Sequence, residues 1–174
     1  TIPVGLAGLA FKDSVETVLR NPAVIAWASI GFGVLLWLSD RYGRRLRDEH
    51  GLGWRGALAI GLAQALALVP GTSRSGITMT AGLALGLDRV SAARFSFLLS
   101  MPVIALSGAL QVTELIAVDA PVAWGVLVTA TILAAISAWL CIRLFLAWIT
   151  RIGMTPFVIY RVALGLLLLA VFAG

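Results

Sequence analysis

The chain has 174 residues, 60% of them hydrophobic and 12% charged, with a mean hydropathy of +1.02. That charged share is about half of what a soluble globular domain carries, and the apolar residues fall in runs long enough to cross a bilayer, at roughly 20 residues per helix. The net charge of +5 does not point to nucleic acid, because most of the arginines stand in short gaps between apolar runs, where membrane topology puts them.

Taken in chain order, the first apolar stretch, Ile2 to Phe11, is too short to span. It reads as the tail of a helix that begins earlier. The opening TIPVGLAGLAF has neither an initiator Met nor a basic leader, so the chain is expected to start mid-protein. A polar gap with Lys12, Asp13, Glu16 and Arg20 follows. Pro22 to Leu38 is a spanning helix, with Trp27 and Trp37 towards its ends as in an aromatic belt. Asp40 to Arg55 carries five Arg and is predicted to be cytoplasmic.

Gly56 to Val69 is apolar but stops at Pro70-Gly71. Thr72, Ser73, Arg74, Ser75 and Gly76 come next, and a second short apolar run, Ile77 to Leu87, ends at Asp88-Arg89. Neither half is long enough to cross alone, so residues 56–87 are predicted to form a re-entrant helix-loop-helix hairpin. Irregular backbone survives at membrane depth only when protein buries it or when it lines a watery cavity. Ser91 to Leu115 is a span with Ser91 as N-cap and Pro102 as a kink. Glu114 and Asp119 mark the next loop. Val122 to Leu146 is another span, Arg151, Gly153 and Pro156 form a turn, and Phe157 to Phe172 is the last span. The expected fold is all-α, with four spanning helices and one hairpin in a single transmembrane domain over residues 1–174. If the hairpin returns Asp88–Arg94 to the side of Asp40–Arg55, Glu114 and Asp119 fall outside, and Arg143 and Arg151 fall back at the cytoplasm.

Arg74 carries the chemistry. An Arg near mid-membrane costs a few kcal/mol and persists only with a partner such as an acid, carbonyls, water or an anionic ligand. No acid lies close to it in sequence. Thr72, Ser73, Ser75, Thr78 and Thr80 surround it with hydroxyls, and Gly71 and Gly76 let the backbone turn so that successive N–H groups point inward. The second half-helix adds the positive end of its dipole. A guanidinium fork, amides and a helix N-terminus describe an oxyanion site, and phosphate fits it best. The plainer alternative is that Arg74 snorkels at a kink while the hydroxyls bond their own backbone. No Gly-Lys-Ser/Thr follows, so this is not a Walker A loop.

At these residues the chain resembles a family. Pro70-Gly71-Thr72-Ser73-Arg74-Ser75-Gly76, with Thr78 two further on, is similar to the signature of the BacA-type undecaprenyl-pyrophosphate phosphatases. GLAQALALVPGTSRSG (Gly61–Gly76), GLDRVSAARFSFLLSMP (Gly86–Pro102) and TPFVIYRVALG (Thr155–Gly165) extend the resemblance over nearly the whole chain. It implies an inverted-repeat fold of which this chain is the second half. It also implies removal of the terminal phosphate from undecaprenyl diphosphate, a role in peptidoglycan synthesis and bacitracin resistance, and residence in the bacterial cytoplasmic membrane. By the resemblance Arg74 is the essential arginine, and a divalent cation, Mg2+ or Ca2+, is a candidate cofactor. The family's acidic segment and its Ser-Ser-Thr-Gly-His stretch do not occur here: the one His is His50, in the charged loop, and Glu16 has other neighbours. The missing N-terminal half is therefore an expected partner, and the chain alone is expected to be inactive. A homodimer is a further expected association.

Arg74, Ser73 and Thr78 are the candidate catalytic residues, and Gly71, Thr72, Ser75, Gly76 and Gln64 the candidate phosphate-binding ones. Gln64 could equally be a packed polar residue between helices. Ser96 and Ser100, one turn apart, either line the cavity or bond preceding carbonyls. Gly82 and Gly86 suit close helix packing. Arg161 is expected to snorkel to the headgroups, His50 to be solvated, and Cys141 to be a small apolar residue without a disulfide partner. No His, Cys, Asp and Glu cluster has metal-ligand spacing. The competing function is transport of a phosphorylated polyprenyl lipid through the same anion site.

Overall fold

The computed structural model of the chain describes residues 3–5, 21–117 and 123–172. The expectations for Ile2–Phe11 lie almost wholly outside these residues, and those for Lys12, Asp13, Glu16, Arg20 and Asp119 lie entirely outside them. The elements are helices: α1 (Pro22–Tyr42), α2 (Trp54–Ala63) continued by a 3-10 turn (Gln64–Leu68), α3 (Arg74–Ala84), α4 (Arg89–Ala117), α5 (Trp124–Ile152) and α6 (Thr155–Phe172). Four of them, α1, α4, α5 and α6, are long and apolar enough to cross a membrane. This is a multi-pass membrane protein.

Local chemistry explains most of the boundaries. The Asn21 side chain accepts a hydrogen bond from the Ala23 amide at 2.9 Å, and Pro22 opens α1, where a missing N–H costs nothing. Helix α4 starts at Arg89 and not at Ser91, because Asp88 takes the capping role. Its carboxylate accepts from the Ser91 amide at 2.9 Å and from the Ser91 hydroxyl at 2.7 Å. A carboxylate at the N-cap also meets the positive end of the helix dipole, which a hydroxyl meets less strongly. Helix α4 runs through Pro102 to Ala117, so Glu114 belongs to its last turn and not to a loop. Helix α5 extends to Ile152 and holds Arg143, whose guanidinium lies 4.9 Å from the centre of the Trp139 ring.

Helix α3, with 11 residues, rises about 16 Å, roughly half a 30 Å hydrocarbon core. With α2 it makes a helix-loop-helix hairpin, and the backbone closes it. The Leu46 and Arg47 amides both donate to the Gly86 carbonyl (3.0 and 3.1 Å), and the Asp88 amide donates to the Arg47 carbonyl (2.9 Å). The end of the hairpin is thereby bound to the charged loop from which α2 departs.

A buried carboxylate locks the same end. Asp40, 4% exposed at the end of α1, accepts from Arg89 Nε and Nη2 at 2.6 and 2.9 Å and from Arg45 Nη2 at 3.1 Å. It also accepts from the Met154 amide at 3.3 Å, just before α6. Gly153 sits beside this cluster at φ +74°, and a Cβ there would come within 2.8 Å of the Arg89 guanidinium.

Helix α1 packs chiefly on α6 and then on α3, while α3 also packs on α2 and α4. The contact between α1 and α6 is close where Gly33 faces the Cβ of Arg161 and where Gly165 faces Ile30. The hydrophobic core lies around α3 and includes Leu36, Ile60, Met79, Leu83, Ala93 and Met154. Along α5 most apolar side chains are exposed, as suits a surface whose solvent is lipid.

Candidate anion-binding site

The break between the half-helices is a tight turn. The Thr72 amide donates to the Val69 carbonyl at 3.2 Å. Gly71 stands at φ +91°, where its missing side chain matters twice: L-residues avoid that region, and a Cβ would run into the Ile25 carbonyl of α1. Ser73 takes φ +63° without being glycine. Such a conformation costs of order 1 kcal/mol or more and persists only where surrounding contacts hold it.

Those contacts come from two spanning helices. The Gly71 carbonyl accepts from Ser29 Oγ of α1 at 3.2 Å and from Arg161 Nη2 of α6 at 2.6 Å. Arg161 Nε also donates to the Ser29 carbonyl at 3.4 Å. Arg161 therefore does not snorkel to the headgroups as expected. The close approach of α1 and α6 at Gly33 puts backbone carbonyls of α1 and of the loop within reach of its guanidinium. These bonds recover the hydrogen bonding that a cation would otherwise seek at the membrane surface. An ionisable residue inside a span is a sign of a site by itself. Ser29 carries no such sign in the sequence.

Past the turn, Ser73 caps α3. Its Oγ accepts from the Gly76 amide at 3.3 Å and lies 3.5 Å from Ser75 Oγ. Arg74 occupies the first helical position, half-buried, and its guanidinium makes no hydrogen bond or ion pair with the described residues. Gly71, Ser73, Ser75 and Gly76 come together with Ser29 and Arg161 on the wall of a cavity of about 610 Å³. Beyond this polar end the lining is apolar and includes Met79, Phe97, Ile142, Phe145 and Phe157.

The other candidates lie apart from it. Thr78 Oγ1, 2% exposed, is within hydrogen-bond distance of the Arg74 and Ser75 carbonyls (3.0 and 3.1 Å) and shares a hydrogen bond with Ser96 Oγ at 2.7 Å. It joins α3 to α4. Ser100 Oγ donates to the Phe97 carbonyl at 2.6 Å. Gln64 and Thr72, 1% and 0% exposed, bury side-chain polar atoms that have no partner among the described residues. Neither is on the cavity wall.

Chemically, the polar end offers hydroxyls, the free amides of a helix's first turn and a guanidinium, with a second guanidinium one residue away. That set suits a tetrahedral oxyanion. It does not suit a divalent cation, which needs carboxylate or carbonyl oxygens. Among the described residues no three His, Cys, Asp or Glu side chains are grouped to hold a metal ion.

The fold and the site define a class: a polytopic membrane protein with a broken helix whose polar turn, suited to an oxyanion, opens onto an apolar cavity. The chain belongs to the family described as bacitracin resistance protein BacA, whose model matches residues 1–167. It is 57% identical to a protein of Stutzerimonas stutzeri named undecaprenyl-diphosphatase 2, over all of this chain and 66% of that protein. It is 53% identical to the undecaprenyl-diphosphatase of Thioalkalivibrio sulfidiphilus and 50% identical to that of Nitrosococcus oceani, each over 99% of this chain and 65% of the relative. The chain thus spans about 65% of the length of the curated relatives it matches.

Proposed function

We propose that this chain supplies the phosphate-gripping part of a membrane phosphatase that hydrolyses undecaprenyl diphosphate to undecaprenyl phosphate and inorganic phosphate. The product is the carrier lipid of cell-wall synthesis, and the site of action is the bacterial cytoplasmic membrane. One observation carries the reading: a cavity with hydroxyls, helix amides and a guanidinium at one end and an apolar lining at the other matches a lipid with a phosphorylated head. The names of the relatives favour the same substrate.

In this reaction water adds to the terminal phosphorus, the bond from that phosphorus to the bridging oxygen breaks, and the lipid leaves as its monophosphate. Charge moves onto the bridging and equatorial oxygens, so catalysis is mainly positioning and electrostatic stabilisation. Arg74, its guanidinium free of partners among the described residues and its backbone at the N-terminus of α3, is the fork for the terminal phosphate. Ser73 and Ser75 orient its oxygens. Among the described residues neither serine has a basic side chain within hydrogen-bond reach that would activate it as a nucleophile. Among the described residues this loop offers no donor set for a divalent ion.

Phosphate release from farnesyl diphosphate by the full-length protein tests the reading. Arg74→Ala should lower kcat/KM by about a hundredfold or more, the range seen when a preorganised charge-stabilising donor is removed. Arg74→Lys should remain poor because an ammonium cannot reproduce the fork. Near-normal turnover by a folded Arg74→Ala protein would refute the assignment. A protein that binds the lipid and moves it between leaflets without releasing phosphate would support transport instead.

A further inference from the structure

We infer that Arg161 is a specificity-determining residue: its guanidinium binds the lipid-attached phosphate of the diphosphate, while Arg74 takes the terminal one. The inference rests on the reading above that the ligand is a prenyl diphosphate. It begins with how Arg161 spends its donors. Nη2 and Nε are committed to the carbonyls of Gly71 and Ser29. These bonds fix the orientation of the guanidinium plane. Nη1 has no hydrogen-bond partner among the described residues.

That remaining nitrogen lies over the first turn of α3, 2.9 Å from where a Cβ on Gly76 would sit. A glycine at 76 is what admits it. Arg161 and Gly76 are both on the cavity wall, with Ser73 and Ser75 beside them, whereas Arg74 is not. The two cations therefore differ in position. Arg161 stands at the polar end of the cavity, against Gly71 and Gly76, and Arg74 starts α3 without lining the cavity.

A prenyl diphosphate placed with its tail among Met79, Phe97 and Phe145 brings its phosphates up in a fixed order. The phosphate bonded to the prenyl carbon reaches Arg161 first, and the terminal phosphate lies beyond it, towards Arg74. A guanidinium whose other donors are held by backbone is pre-organised, so little freedom is lost when Nη1 engages an oxygen. Arg161 thus reads the attachment of the phosphate to a lipid, and inorganic phosphate has no need of it.

The experiment uses equilibrium binding to the full-length protein in detergent, with farnesyl monophosphate and inorganic phosphate as probes, and phosphate release from farnesyl diphosphate measured alongside. Arg161→Gln should weaken farnesyl monophosphate by about tenfold to a hundredfold more than it weakens inorganic phosphate, the extra loss being one charge-assisted hydrogen bond. Arg74→Ala should weaken inorganic phosphate instead. Ser29→Ala removes the second bond to the Gly71 carbonyl without removing a cation, and should shift both probes alike, as a purely structural role for the clamp would. Should Arg161→Gln lose its cooperative melt, Arg161→Lys carries the same comparison, since it keeps the charge and loses the fork.

Equal weakening of both probes by the Arg161 variants, or unchanged farnesyl monophosphate binding, would overturn the inference. A wild-type protein that shows the crossover but releases no phosphate would leave Arg161 in place and refute hydrolysis. A wild type that binds neither probe would refute both.

Discussion

Asp40→Asn should be among the most damaging single-atom changes available in this chain. The Asp40 side chain is 6% exposed and holds Arg89, itself 25% exposed, and Arg45. It accepts four hydrogen bonds in all, from Arg89 Nε, Arg89 Nη2, Arg45 Nη2 and the Met154 amide. Asparagine keeps the shape and one acceptor oxygen. With that oxygen on the side of Arg89 Nε and Arg45, its NH2 group faces Arg89 Nη2 and the Met154 amide, donor against donor. Two hydrogen bonds go, and the charge that balances a largely buried guanidinium goes with them. Breaking a buried pair by removing one partner costs about 3–5 kcal/mol. The partial exposure of Arg89 and Arg45 brings the expected loss here down to about 2–4 kcal/mol. The assay is thermal or denaturant unfolding in detergent, with a double-mutant cycle against Arg89→Gln. The cycle should return a coupling of about 1–3 kcal/mol. A loss below about 0.5 kcal/mol, or no coupling, would refute the view that this carboxylate joins the ends of α1, α4 and α6.

Gly71→Ala should lower stability by about 1–3 kcal/mol through its φ and the Ile25 carbonyl, and should weaken phosphate binding as the loop moves. A stable Gly71→Ala protein with unchanged binding would show that the turn is not held as described. The charged loop is expected on the cytoplasmic side: in a Cys141→Ser background, a membrane-impermeant thiol reagent on intact cells should spare His50→Cys and label Ala123→Cys. The reverse pattern would invert the orientation.

Much of this protein is legible in the residues alone because hydropathy and turn chemistry are local. The four spans follow from runs of apolar residues, and their ends differ from expectation by at most six positions, at Ile152. The hairpin follows from Pro70-Gly71 between two short runs, and Arg74 draws notice because a charge at that depth needs a reason. Identity to the family adds to this without geometry. The clamp on the loop is a different matter. Arg161 reaches Gly71 from 90 positions away, and Asp40 meets Met154 across 114. Nothing in the local pattern around Arg161 says whether its side chain runs to the headgroups or inward. Thr78 likewise reads as a ligand for phosphate, yet its hydroxyl is taken up at the contact between α3 and α4. A residue's neighbours in sequence decide whether it sits in a helix and at what depth. Which carbonyls, acids and hydroxyls lie within a hydrogen bond of its side chain depends on the helices packed against it, and only the tertiary structure decides that.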